Sequence, residues 1–94
     1  MKPINIIQKA EDELSSSMAK INEMRENSEE PIKSQFTLIF QDHIAYGIFL
    51  KELKLNIDNK IDINKSFFEK QIINIYKSCS IIKEMHLAYK DGAL

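Results

Sequence analysis

An all-α fold, with three long antiparallel helices in an up-down-up bundle, is predicted by three features of this 94-residue sequence. Only two glycines and two prolines interrupt it, which favours few, long elements. Apolar residues recur at helical spacing in three separate stretches. The polar breaks between them are short, and short connections make neighbouring helices antiparallel. A long helical hairpin completed by dimerisation is the alternative architecture. Either way the chain is a single domain over residues 1–94, as expected at this length.

The first helix is predicted over 3–27. Pro3 suits an opening turn, where its missing N–H leaves no intrahelical bond unmade. Ile7, Leu14 and Ile21 recur every seven residues, and Ala10, Ser17 and Met24 take the second seam position. This is a heptad-like stripe, with Glu11, Asp12, Ser15, Asn22 and Glu26 opposite it. Ala10 and Ser17 are small, so another helix can approach closely there. The break at 27–31 reads Asn-Ser-Glu-Glu-Pro. Ser28 is the predicted N-cap of the next helix, with Glu29 and Glu30 near its positive dipole end.

The second helix is predicted over 31–55. Ile32, Phe36, Ile39, His43, Leu50 and Leu53 mark one face. Leu38, Phe40, Ile44, Tyr46, Ile48 and Phe49 carry apolar surface well around the cylinder. Ten of the fifteen residues from 36 to 50 are apolar, so a single stripe does not contain them and the helix is expected to be buried on more than one side. That makes it the expected middle of the fold, or a face for a partner. Residues 56–64 (NIDNKIDIN) read as a loop, with Ile57, Ile61 and Ile63 placed to tuck under the bundle end.

The third helix is predicted over 66–91. Ser66 and Glu69 have the spacing of a capping box. Phe68, Ile72, Ile75, Cys79, Ile82, His86 and Tyr89 follow at alternating steps of four and three. Gly92 stands where a helix C-terminus favours a left-handed residue.

Composition narrows the function classes. With 44% hydrophobic and 29% charged residues, wholesale disorder is disfavoured. A formal net charge of −1 gives no broad attraction to nucleic acid or anionic lipid. The single cysteine, Cys79, makes no internal disulfide and fits a reducing compartment. The N-terminal stretch lacks the apolar core of a signal peptide, and no apolar run is long enough to span a bilayer. A cytoplasmic protein is therefore expected. Sixteen isoleucines against no valine, and twelve lysines against one arginine, point to an AT-rich genome, bacterial or phage. Residues 1–31 carry seven acidic and four basic side chains, and residues 65–94 three and five. An acidic first helix and a basic third helix are thus complementary.

Candidate chemistry is sparse. Asp42 and His43 are adjacent, but sequence neighbours on a helix do not face each other, so His43 is expected at the rim of the core. Cys79 and His86 share a stripe two turns apart, ~10.5 Å of rise, which is too far for one metal ion. Asp62, Asn64 and Ser66 alternate like the first ligands of a calcium loop. However, Phe67 stands where the turn needs glycine and Ile73 where a bidentate carboxylate belongs. No catalytic residue, metal site or cofactor is predicted.

Lys70, Lys77, Lys83 and Lys90 offer a nucleic-acid-facing helix as the alternative function, although a single arginine weakens base readout. The surplus of apolar side chains carries the main reading. Phe40, Ile44, Ile48 and Phe49, with Ile73 and Tyr76 second, are the predicted anchors of a protein-binding face. The expected function is a small, non-enzymatic helical module of regulator, chaperone or inhibitor type. It binds a protein partner and self-associates.

Overall fold

The computed structural model describes residues 2–93 and consists of three helices: α1 (Pro3–Glu26), α2 (Ile32–Asp58) and α3 (Lys65–Lys90). They lie side by side in an elongated body of 47 × 21 × 18 Å. The predicted all-α, up-down-up bundle is the observed fold, and the described residues contain no strand.

The seam of α1 is the stripe read from the sequence: Ile7, Ala10, Leu14, Ser17, Ile21 and Met24 are all buried. The α3 stripe is equally faithful, with Phe68, Ile72, Ile75, Cys79, Ile82 and His86 buried. In α2 the buried residues are Phe36, His43, Leu50 and Leu53, whereas Ile32 lies exposed.

The expectation that the second helix forms the middle of the fold is overturned. α1 packs against both other helices, while α2 and α3 meet each other less closely. Ala10 and Ser17 explain this, since small seam residues let two neighbouring backbones draw in around α1. The surplus apolar residues of α2 therefore remain on its outer surface, Leu38, Ile44, Ile48 and Leu55 among them.

Core side chains form two clusters. One joins Ile7, Ala10 and Leu14 to Leu50 and Leu53 and to Phe68, Ile72, Ile75 and Cys79. The other joins Ile21 and Met24 to Phe36 and Ile82. Each fully buried Ile or Leu contributes ~1.5–3 kcal/mol of transfer free energy.

The helix ends differ in detail from those predicted. Ser28 does not cap α2. Its hydroxyl donates to the Met24 carbonyl (2.6 Å) and so closes the end of α1. The start of α2 is held by Glu30, whose carboxylate accepts the Ser34 N–H at 2.8 Å and also the Ser34 hydroxyl. The favourable placing of acidic groups at this terminus is thus realised by one of the two glutamates. The predicted Ser66–Glu69 box is replaced by Asn64, whose side chain accepts the Phe67 N–H at 2.9 Å. Helix α2 also runs on to Asp58, taking up the start of the predicted loop.

Two C-termini share a Schellman closure. After α3, Gly92 (φ +76°) takes the left-handed position as predicted, with Gly92 N–H to Tyr89 C=O and Ala93 N–H to Ala88 C=O. After α2 the same bonds run from Lys60 to Ile57 and from Ile61 to Asn56, but the left-handed residue is Lys60 (φ +57°). Ile57 and Ile63 pack against the first cluster, as the loop reading anticipated, and Ile61 points outward.

Candidate functional site

Between the two apolar clusters lies a polar layer built by one side chain from α1 and one from α2, and bordered by Cys79 of the first cluster. Ser17 from α1 and His43 from α2 are joined by a buried hydrogen bond of 2.9 Å between Ser17 Oγ and His43 Nε2. The other ring nitrogen, Nδ1, lies 3.1 Å from the Ile39 carbonyl. A carbonyl oxygen only accepts, so Nδ1 carries the proton, and the neutral ring accepts the Ser17 O–H at Nε2. Cys79 from α3 lies beside Ser17. Ser17 and His43 are only 3% and 2% exposed, so His43 sits in the centre of the core and not at its rim, as the sequence had suggested.

The layer's electrostatics follow from burial. Desolvation lowers the His43 pKa below its ordinary value, opposed by the bond to Ile39 and by the charge of Asp42. Desolvation also pushes the Cys79 thiol up. A raised thiol pKa suppresses the thiolate, the reactive form. Serine hydrogen-bonded to an oriented imidazole is also the arrangement of a nucleophile and its base. Here both residues lie well inside helices, where backbone N–H groups are committed to carbonyls four residues back and are not free to stabilise an oxyanion.

His86 is held elsewhere. Its Nε2–H donates to Glu23 Oε2 at 2.7 Å, linking α3 to α1, and its ring stacks on Tyr89. Ser17 and Glu23 are six residues apart on α1, ~9 Å of rise, so the two histidines belong to different levels of the bundle. Among the described residues no three His, Cys, Asp or Glu side chains gather as a metal would require.

The six predicted anchors do not form one patch. Ile44 (42% exposed) and Ile48 (55% exposed) line a groove of about 310 Å³ between α1 and α2, with Gly47 between them and Met18 across from them. A Cβ built on Gly47 meets nothing within 4 Å, so the groove is open beside that residue. Glu11 and Lys51 rim it, and Glu11 is held by Lys54 at 2.6 Å. Phe40 packs on the second cluster beneath the Arg25 guanidinium, 5.0 Å from its ring centre. Phe49 turns toward α3 and meets Phe67 edge-on. Ile73 lines a smaller groove with Ile6 and Phe68. Tyr76 borders an α1–α3 groove of about 330 Å³ with Lys20 and Lys83.

The four α3 lysines of the alternative reading are all exposed. At 100° per residue, Lys70 and Lys77 share a face, while Lys83 and Lys90 lie ~140° around the helix from it. They do not make one basic row.

The pairing of Ser17 with His43 is the feature that sequence reading missed. Its signal was present: a single polar residue interrupts the apolar stripe of α1, at Ser17, and that of α2, at His43. Folding α1 against α2 around residues 27–31 brings the two level.

No protein-family description, curated protein or solved structure matches this chain. The fold places the chain in the class of small three-helix bundles. Among the described residues no helix is long and apolar enough to cross a membrane.

Proposed function

We propose that this chain is a small, non-enzymatic helical protein-binding module that docks partners, a second copy of itself included, through the α1–α2 face. The observation that carries the reading is the pair Ile44 and Ile48, exposed side by side along an open groove that Gly47 also lines. Residues four apart on a helix form one ridge, and a neighbouring glycine lets a partner's side chain enter beside it. Leu14, Met18, Ile44 and Ile48 line the groove together with Glu11, Ser15 and Lys51, a mixture of apolar and polar side chains that suits a docking patch. A cytoplasmic, reducing setting suits the single buried thiol.

The test is the molar mass in solution by light scattering, measured for the wild type and for Ile44→Asp and Ile48→Asp. A wild type heavier than one chain and variants at the mass of one chain support the reading. A wild type that remains a single chain at high concentration, or variants that assemble as it does, would overturn the self-association. Partner binding is read separately, by whether a partner that co-purifies with the wild type is lost from both variants.

A further inference from the structure

The polar layer has a consequence that does not depend on any docking partner. We propose that His43 is a proton-sensitive latch: in its neutral form it ties α2 to α1 between the two halves of the core, and acidification weakens the bundle by charging it.

Geometry carries the proposal. The ring is 2% exposed, lies between the two apolar clusters, and spends both nitrogens, one on Ser17 and one on the Ile39 carbonyl. Those bonds are complete only for the neutral ring with its proton on Nδ1. A second proton arrives at Nε2, where the Ser17 hydroxyl now donates. Ser17 must then reverse its hydroxyl, and a full charge is placed among apolar side chains.

Few charges can answer it. On its own helix the ring has Asp42, which is exposed, the uncharged Tyr46 edge-on with ring centres 6.3 Å apart, and Lys51 further along. From α1 the nearest acid in the adjoining groove is Glu11, which is held by Lys54. Glu13 and Lys20 lie beyond Ser17 and oppose one another, and α3 offers the Cys79 thiol with Lys83 beyond it. No carboxylate touches the ring among the described residues. The proton has a route, because the ring borders both the α1–α2 and the α2–α3 grooves.

The sign follows from burial, which lowers the pKa of His43 in the folded chain. Stability from the neutral ring is present above the unfolded value of ~6.5. It is lost as pH falls through the lower folded value.

The test uses the full chain carrying His86→Gln, which removes the other histidine. Its thermal midpoint is followed from about pH 7.5 to about pH 5.5, above the ordinary carboxylate range. We expect a fall of roughly 4 °C or more, the scale set for a domain of this size by a modest loss of stability. Adding His43→Gln should flatten the profile. In parallel, the ring titration is read by NMR on the folded chain without the His43 change, so the answer does not require that variant to fold. An equal fall with His43→Gln, or a His43 ring that titrates at or above ~6.5, would overturn the latch.

Discussion

Ser17 Oγ donates to His43 Nε2 across the α1–α2 seam, both groups being almost completely enclosed. Neither side chain offers solvent more than a few per cent of its surface. Removing one partner therefore strands the other, and a stranded buried acceptor costs ~1–3 kcal/mol. We predict that Ser17→Ala lowers stability by about that amount in urea unfolding. The double change Ser17→Ala with His43→Leu should cost clearly less than the two single changes added together, because it removes both polar groups at once. Additive losses would mean that the hydrogen bond contributes little.

At the end of α2, Lys60 occupies the left-handed position that glycine fills after α3. The closing hydrogen bonds are the same at both ends, so the difference lies in the Cβ of Lys60, which crowds its own backbone there. Lys60→Gly should relieve that strain at some cost in the entropy of the unfolded chain, with a net gain of ~0.5 kcal/mol. A rise in the thermal midpoint would bear this out, and a fall would show that the Lys60 side chain makes a stabilising contact.

The helices were legible because their stripes are periodic. Ile7, Leu14 and Ile21 on α1, and Ile72, Ile75 and Ile82 on α3, are buried where their spacing placed them. The capping residues were less legible. Ser28 and Ser66 have suitable chemistry, but a cap is set by one residue's backbone angles, and Glu30 and Asn64 supply the bonds instead. The arrangement of the helices was less legible, because apolar content alone does not distinguish a central helix from one that presents a face to a partner, the two readings open for α2. What draws neighbours in is a small side chain at the seam, as at Ala10 and Ser17. The Ser17–His43 pair joins residues 26 apart in sequence, so it emerges only once the register of α1 against α2 is known.

Burial of Cys79 carries a chemical prediction. Its thiol is pushed up chiefly by desolvation, so the thiolate is scarce at neutral pH and the sulfur is enclosed. Alkylation by iodoacetamide should be much slower in the folded chain than in urea, with a rate that follows opening of the bundle. The linkage has the opposite sign to that of His43. A raised folded pKa keeps its stability contribution below the unfolded thiol value of ~8.5, and loses it as pH rises through the folded value. Cys79→Ala should reduce the alkaline loss of stability. Rapid alkylation of the folded chain would show that the groove beside Tyr76 exposes the sulfur.

Phe49 and Ile48 are adjacent in sequence and face different surroundings. Phe49 packs on the first cluster and meets Phe67 with ring centres 5.8 Å apart, whereas Ile48 stands at the groove, 55% exposed. Phe49 is half-buried, so a carboxylate there loses the packing against the first cluster and sets a charge beside it, and Phe49→Asp should cost roughly 2 kcal/mol or more. At position 48 the carboxylate is solvated, and Ile48→Asp should change the stability of the single chain by no more than about 1 kcal/mol. Urea unfolding at low protein concentration, where association is negligible, separates the two. Should Ile48→Asp destabilise the isolated chain as severely as Phe49→Asp, Ile48 would be serving its own bundle, and the docking face would lose the ridge on which it rests.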